Sequence, residues 1–184
     1  MKIFRALAVL TALTAFSSST LADQSDPRLP GLFDLLQEVD NAGDAAQIEQ
    51  KIWGIWHEAP NDELQDIMER GVSAMNYGDF ATAFDYFDQL TVKAPDFAEG
   101  WNKRATVNYF IGALDASLAD IAETLKREPH HFGALSGRGL VHMQAGELEA
   151  AIDAFEDAQK VSPQATSPKA NIDALRKALG QRDT

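Results

Sequence analysis

The sequence predicts an all-α protein, a right-handed superhelix (solenoid) of stacked two-helix units, and three observations indicate this fold class. Glycine, an apolar residue and proline each recur with a period of 34 residues. Apolar and small residues lie at helical spacing in both halves of the period. Proline follows the second half each time, where a helix has to stop. Such a period is typical of a solenoid whose units pack against their neighbours.

The period divides the central chain into three units, 64–97, 98–131 and 132–165. The recurring residues are Gly78, Gly112 and Gly146, then Phe80, Leu114 and Leu148, then Pro95, Pro129 and Pro163. The glycines fall where the first helix of each unit ends, a place that favours a residue able to adopt a positive φ. Each unit is therefore expected to contain two helices joined by a tight turn.

Residues 1–22 have the form of a signal peptide. Lys2 and Arg5 precede an apolar run from Ala6 to Phe16, and small polar residues lead to Ala22. The alternative is a buried N-terminal helix, but these residues contain no acid, whereas the rest of the chain is rich in acids. The run is also too short to span a bilayer comfortably. We expect cleavage near Ala22 and a mature periplasmic or secreted bacterial protein that does not insert into a membrane.

Two further segments flank the three units. Residues 23–63 follow the same apolar template one residue out of phase, which predicts a degenerate N-terminal helix pair covering the first face of the stack. Residues 166–184 are predicted to form a cap helix and tail. Ser167-Pro168 has the form of a helix start, and the residues of one apolar stripe are Ile172, Leu175 and Leu179. Repeat arrays need such caps at their ends.

Composition argues against several classes of function. The chain has 28 acidic and 16 basic residues and a formal charge of -12, so it has no basic face for nucleic acid. Cysteine is absent, which removes disulfides, thiolate metal sites and cysteine nucleophiles. No catalytic or phosphate-binding motif occurs. We expect no enzyme activity and no cofactor.

The four histidines have no spacing that places metal ligands on one helix face. His130 and His131 are expected in a solvated loop, although a metal site there is the alternative. His142 is expected to face the interior of its unit as a packing residue. We therefore predict no metal site.

An arginine column also has the 34-residue period. Its members are Arg70, Arg104 and Arg138, and the candidate acids on the second helices are Asp85, Asp120 and Asp153. We favour ion pairs within each unit, with Arg104 to Asp120 as the best candidate, over a ladder that binds an acidic ligand.

Residues 64–165 resemble the tetratricopeptide repeat (TPR) family. The resemblance rests on the turn glycines, the terminal prolines and on Gly71, Ala83, Phe87, Trp101, Ala105, Gly139, Ala151 and Phe155. Asn108, Ser117 and His142 depart from the pattern, because the family has larger apolar residues or alanine there. The motif is specific for the fold and much less specific for function.

The resemblance implies a concave groove, lined by the first helix of each unit, where peptides commonly lie. The positions carried over are Met68, Val72, Met75, Asn76, Asn102, Lys103, Thr106, Tyr109, Phe110, Ser136, Leu140, Met143 and Gln144. We expect Tyr109 and Phe110 to anchor a ligand and Asn102 and Lys103 to orient it. Because only these last two resemble the family's carboxylate clamp, an acidic C-terminal motif is not the expected ligand.

The resemblance and the signal peptide together predict a scaffold or adaptor of the bacterial cell envelope that binds a protein or peptide partner. A self-associating structural protein is the alternative, and an enzyme with an unrecognised site is a weaker one. The sequence does not fix the oligomeric state, nor whether the groove or the convex face is used.

Overall fold

The computed structural model describes residues 25–180, which contain nine α-helices and no β-strand. The helices are α1 (Leu29–Glu38), α2 (Ala42–Trp56), α3 (Asp62–Asn76), α4 (Phe80–Lys93), α5 (Ala98–Phe110), α6 (Leu114–Arg127), α7 (Phe132–Ala145), α8 (Leu148–Val161) and α9 (Thr166–Gly180). The prediction of an all-α helical repeat solenoid is confirmed. The predicted signal peptide, 1–22, lies outside the described residues.

Three helix pairs, α3–α4, α5–α6 and α7–α8, form the repeat array, and α9 packs on its last helix. Gly78, Gly112 and Gly146 have φ angles of 76°, 78° and 80°. This is the left-handed region that glycine enters without strain, so these residues end the first helix of each pair as predicted. At the far end, Ile172 and Leu175 of α9 are buried against Phe155 of α8.

Two mid-helix glycines allow the helices of a pair to cross closely. A Cβ atom on Gly71 would lie 2.5 Å from the Phe87 ring, and one on Gly139 would lie 2.6 Å from the Phe155 ring. Both rings are fully buried. The small residue therefore compensates for its poor helix propensity by admitting an aromatic ring from the next helix.

The central pair uses polar groups where the family pattern has apolar ones. Asn108 is buried and donates a hydrogen bond to Asp120 on α6, at 2.9 Å. The Ser117 hydroxyl donates to the carbonyl oxygen of Ala105 at 2.8 Å. Both departures therefore join α5 to α6 through satisfied hydrogen bonds, as buried polar groups require.

Arg104 forms the predicted ion pair with Asp120. Two guanidinium nitrogens donate to the two carboxylate oxygens at 2.9 and 2.6 Å. This part of the prediction is confirmed.

The predicted partners of the other two arginines are wrong. Arg70 pairs with Asp66 of its own helix, not with Asp85. Arg138 reaches Asp157, one helical turn beyond Asp153. Since every arginine of the column has a carboxylate partner, the alternative of a free cationic ladder loses its support.

The α1–α2 hairpin lies along one edge of the array, at the turns that join successive pairs. Trp56 is buried against Phe132 at the start of α7, and Val161 at the end of α8 packs on the same cluster. The Gln37 amide donates to the carbonyl oxygens of Lys160 and Val161, at 3.1 and 2.9 Å. The prediction that this pair covers the first face of the stack is therefore wrong. Its apolar face packs on Phe132 and Val161 of the third pair, and its end reaches the second pair through His57, which lies 3.0 Å from Glu99.

Within residues 25–180, no helix is both long and apolar enough to cross a membrane.

We predict that Gly139→Ala lowers the stability of the protein by about 1 to 3 kcal/mol, because its Cβ overlaps the buried Phe155 ring. The matched control is Gly137→Ala on the same helix, whose Cβ would meet only Ile121 Cδ1, at 3.8 Å. Denaturant unfolding followed by circular dichroism measures both. Equal stability of the two variants would contradict the close crossing.

Candidate functional site

The first helices of the three pairs, α3, α5 and α7, form one continuous surface, which we call the groove. Two cavities open on it, one on each side of α5. The first cavity, between α3 and α5, has a volume of about 470 Å³, and the second cavity, between α5 and α7, has a volume of about 200 Å³. Ten of the thirteen residues carried over from the family resemblance line one or the other.

The first cavity is mixed in character. It contains four of the predicted residues, Met68, Val72, Asn76 and Lys103, together with His57, Gln65, Glu69, Ser73 and Tyr77, which the sequence reading missed. His57 comes from the end of the hairpin, so it lies outside the repeat pattern. The positions carried over from the family therefore do not include His57.

The second cavity has no charged residue in its lining. It contains six predicted residues, Asn102, Thr106, Tyr109, Phe110, Ser136 and Leu140, and five that were missed, Ala105, Ser117, Ile121, Gly133 and Gly137. Four of the missed residues have small side chains or none, and two of the five, Ser117 and Ile121, belong to α6. Glycine and alanine line the cavity through the space that they leave. A pattern of ligand-facing side chains therefore does not identify them.

Three predicted residues line neither cavity. Met75 packs beside the core of the first pair, and Met143 packs beside the core of the third. Gln144 is exposed.

Phe110 is the most exposed aromatic residue of α5, the helix that lies between the two cavities. Its side chain is 55% exposed, and its ring stacks on Phe80 with a centroid distance of 5.3 Å. Tyr109 contacts it edge-on at 5.7 Å and is half-buried. The pair forms an apolar rim that retains solvent contact.

A buried carboxylate lies where the hairpin meets the groove. Glu99, in the first turn of α5, is 1% exposed. It accepts a hydrogen bond from Asn102 at 2.9 Å, and Lys103 Nζ lies 3.0 Å from its second oxygen. His131 Nε2 and His57 Nε2 each lie 3.0 Å from a carboxylate oxygen. We call Glu99 and these four partners the Glu99 cluster.

His131 is fully buried, so the expectation of a solvated loop is wrong for this residue. Its Nδ1 accepts a hydrogen bond from the backbone N–H of Ala134 and so caps α7. This contact places the ring proton on Nε2, which donates to Glu99. The ring also stacks on Trp56 of α2, at 4.0 Å between centroids. The neighbouring His130 is exposed, as expected.

The hairpin covers this cluster with aromatic rings. Trp53 stacks on His57 at 5.4 Å between centroids, and Lys103 Nζ lies 5.8 Å from the Trp53 ring. A Cβ on Gly133 would lie 2.4 Å from Trp53, so glycine at this position admits the indole ring. The hairpin therefore closes the end of the groove at which α5 and α7 begin.

The groups around Glu99 keep its carboxyl group ionised. Burial alone raises the pKa of this carboxyl, but the positive charge of Lys103 and the imidazoles of His131 and His57 together outweigh burial. They hold the pKa of Glu99 well below its usual range. The carboxylate therefore stays ionised at neutral pH.

The same contacts engage both polar residues that were expected to orient a ligand. Asn102 donates to Glu99, and the Lys103 side chain is only 15% exposed. Their polar ends are thus directed to a carboxylate inside the protein. The expected orienting role of Asn102 and Lys103 conflicts with this arrangement.

His142 contacts a carboxylate at the start of the next helix. It is half-buried, and its Nδ1 lies 2.6 Å from Glu147 at the start of α8. In the part of the chain that the structure describes, no set of three or more His, Asp or Glu side chains has an arrangement suited to a metal ion.

Comparison with known sequences identifies the repeats. A family model described as "Tetratricopeptide repeat" matches residues 111–166. A TPR repeat-containing protein of Rhizobium etli is 29% identical over 157 residues, covering 85% of this chain and 77% of the relative.

Solved structures share the fold at lower identity. The crystal structure of MamA covers 89% of this chain and 82% of its own, with 20% identity and a TM-score of 0.60. The Sgt2 TPR domain from Aspergillus fumigatus has 19% identity and a TM-score of 0.63, covering 68% of this chain and 84% of its own. The first TPR of Spaghetti, bound to an HSP90 peptide, has 17% identity and a TM-score of 0.61, with coverages of 64% and 93%.

We predict that Glu99→Gln destabilises the protein at neutral pH by about 3 kcal/mol, because it removes the charge that compensates the half-buried Lys103. The folded pKa of Glu99 lies below the unfolded value, so its contribution is present above the unfolded value and is lost as pH falls through the folded value.

Unfolding of the parent and the variant at pH 7 and at pH 3 measures this effect. The difference in stability should be large at pH 7 and smaller at pH 3. A difference that is independent of pH would contradict the assignment of an ionised, compensated carboxylate. Glu38→Gln, an exposed position on α1, is the matched control.

Proposed function

Because the chain is a tetratricopeptide repeat protein, we propose that it binds a peptide or protein segment in the groove and acts as a scaffold or adaptor of the bacterial cell envelope. The two cavities that flank α5 are the observation that carries this proposal. They lie on either side of α5, so we expect one extended or helical segment of a partner to reach both.

The repeat array supports a binding role over a catalytic one. Helical repeat proteins use a continuous surface formed by successive units to hold partners. The first TPR of Spaghetti, which shares the fold, is described as bound to an HSP90 peptide. We extend the general mode of peptide binding to this chain, but not the ligand.

The chemistry of the groove favours a partner segment that is apolar and not acidic. Lys103 is the one Lys or Arg residue in the lining of the two cavities, and Glu99 already neutralises it. Glu69 lies on the other wall of the first cavity. A carboxylate-rich ligand would therefore meet an acidic wall and no free cation.

We propose an envelope location on the strength of the N-terminal sequence. The basic start, the apolar run and the small residues before Asp23 fit a cleaved signal peptide. An adaptor in that compartment would act outside the cytoplasm on other exported proteins.

A second candidate function, self-association, has one observation in its favour. Tyr77 and Ile111, at the ends of α3 and α5, are 88% and 53% exposed. Apolar side chains at equivalent places of two successive pairs could meet a second copy. Light scattering of the parent beside Tyr77→Ser tests this, and a monomer at every concentration would exclude it.

We predict that Phe110→Ala and Tyr109→Ala each weaken the binding of groove ligands by about 2 kcal/mol, the cost of a typical aromatic hot spot. Random peptides selected on the mature protein supply the ligands, and fluorescence anisotropy supplies the affinities. Val92→Ala is the control, because Val92 is 73% exposed on α4, outside both cavities. Peptides that bind all four proteins equally would contradict the groove, as would failure to select any peptide.

We also predict that export removes residues 1–22. The intact mass of the protein recovered from the periplasm or the medium should correspond to a chain that starts at Asp23. A recovered species that retains Lys2 and Arg5, or a protein confined to the cytoplasm, would contradict this.

A further inference from the structure

We propose that the second cavity is an anchoring pocket for a single large apolar side chain of the partner, and that Gly137 sets the size of this side chain. The inference rests on the proposed groove function and names the chemistry that the groove selects. Three observations support it: the apolar composition of the pocket wall, the depth of the pocket, and the space left by the missing side chain of Gly137.

The wall of the pocket is more apolar than its residue types indicate. The Thr106 hydroxyl donates to the carbonyl oxygen of Asn102 at 2.9 Å, and the Ser117 hydroxyl donates to that of Ala105 at 2.8 Å. The Asn102 amide donates to Glu99. Because these donors are already used inside the protein, the pocket offers a ligand mainly carbon surface, which favours an uncharged apolar group.

The pocket extends from an exposed rim to a buried floor. Phe110 and Leu140, on α5 and α7, are 55% and 36% exposed at the rim. Ala105 and Ile121 are buried in the lining. A side chain that enters between α5 and α7 therefore contacts three helices and leaves water almost completely.

The volume fits one side chain. Apolar cavities of about 150 Å³ hold a benzene molecule, so a pocket of about 200 Å³ admits one ring or branched aliphatic group. The hairpin closes the neighbouring end of the groove through Trp53 on Gly133. The side chain therefore enters from the rim formed by Phe110 and Leu140.

Gly137 leaves space inside the pocket. Its Cβ position is free except for Ile121 Cδ1 at 3.8 Å, an ordinary contact distance. A Cβ at this position is therefore compatible with the helix crossing, and because Gly137 lines the pocket, we expect a longer side chain to extend into it. This differs from Gly139, where a Cβ overlaps a buried ring.

The test uses random heptapeptides selected on the mature parent protein, with Gly137→Leu to fill the second cavity and Ser73→Leu to fill the first. Selected peptides should share a Leu, Ile, Met or Phe at one position. Its replacement by Ala should weaken binding roughly tenfold to a hundredfold, the loss expected for one fully buried apolar side chain. Gly137→Leu should weaken the same peptides at least tenfold and retain the melting temperature of the parent.

Each remaining outcome has a separate meaning. If Ser73→Leu abolishes binding and Gly137→Leu does not, the groove binds peptides but the second cavity is not the anchor. If neither variant affects the peptides, their site lies outside the groove and both proposals fail. If Gly137→Leu lowers the melting temperature, Leu140→Ala at the rim replaces it, and unchanged binding by that variant overturns the pocket.

Discussion

Burying a carboxylate in a protein interior requires charges and hydrogen bonds that replace its water, and Glu99 obtains them from separate parts of the chain. Lys103 and Asn102 come from its own helix, His131 from the start of α7 and His57 from the end of α2. The start of the third pair and the hairpin are therefore fixed relative to α5 by one negative charge. Any movement of the hairpin away from the array would leave Glu99 with fewer partners than its burial requires.

A second charge, which is partly buried, joins the first pair to the second. Arg104 on α5 contacts Asp120 on α6 and also Asp88 and Thr91 on α4. Its guanidinium lies 4.9 Å from the centroid of the Trp101 ring. The interface between these pairs thus combines apolar packing with a fully paired arginine, so its geometry is more restricted than that of an apolar interface alone.

The sequence predicts the parts of the structure that depend on neighbours within the repeat. The turn glycines and the crossing at Gly139 follow from a period, because equivalent residues have equivalent surroundings. The arginine column follows it only in part, since Arg104 pairs with the expected Asp120 but Arg70 and Arg138 pair with other acids. The position of the hairpin does not follow from the period, since its partners lie far along the chain. His131 was expected in solvent because the turn before α7 is exposed in an array without such a hairpin. Burial by Trp56 changes its environment completely.

The same distinction applies to the candidate site. The family positions indicate which side chains face the groove, and ten of them line its cavities. They do not indicate which polar groups are free, because that depends on Glu99, a residue outside the ligand-facing pattern. They also pass over Gly133 and Gly137, whose importance lies in the space that they leave.

The hydrogen bonds from Gln37 to the end of α8 connect residues 123 and 124 positions apart. A repeat array normally folds through contacts between adjacent units, so it can nucleate at several places and fray from its ends. Here the first helix of the described chain completes its packing only after the third pair has formed. We expect this long closure to add a late, non-local step to folding and to couple the hairpin to the third pair. The chain should therefore unfold more nearly as a single cooperative unit than its repeat architecture alone implies.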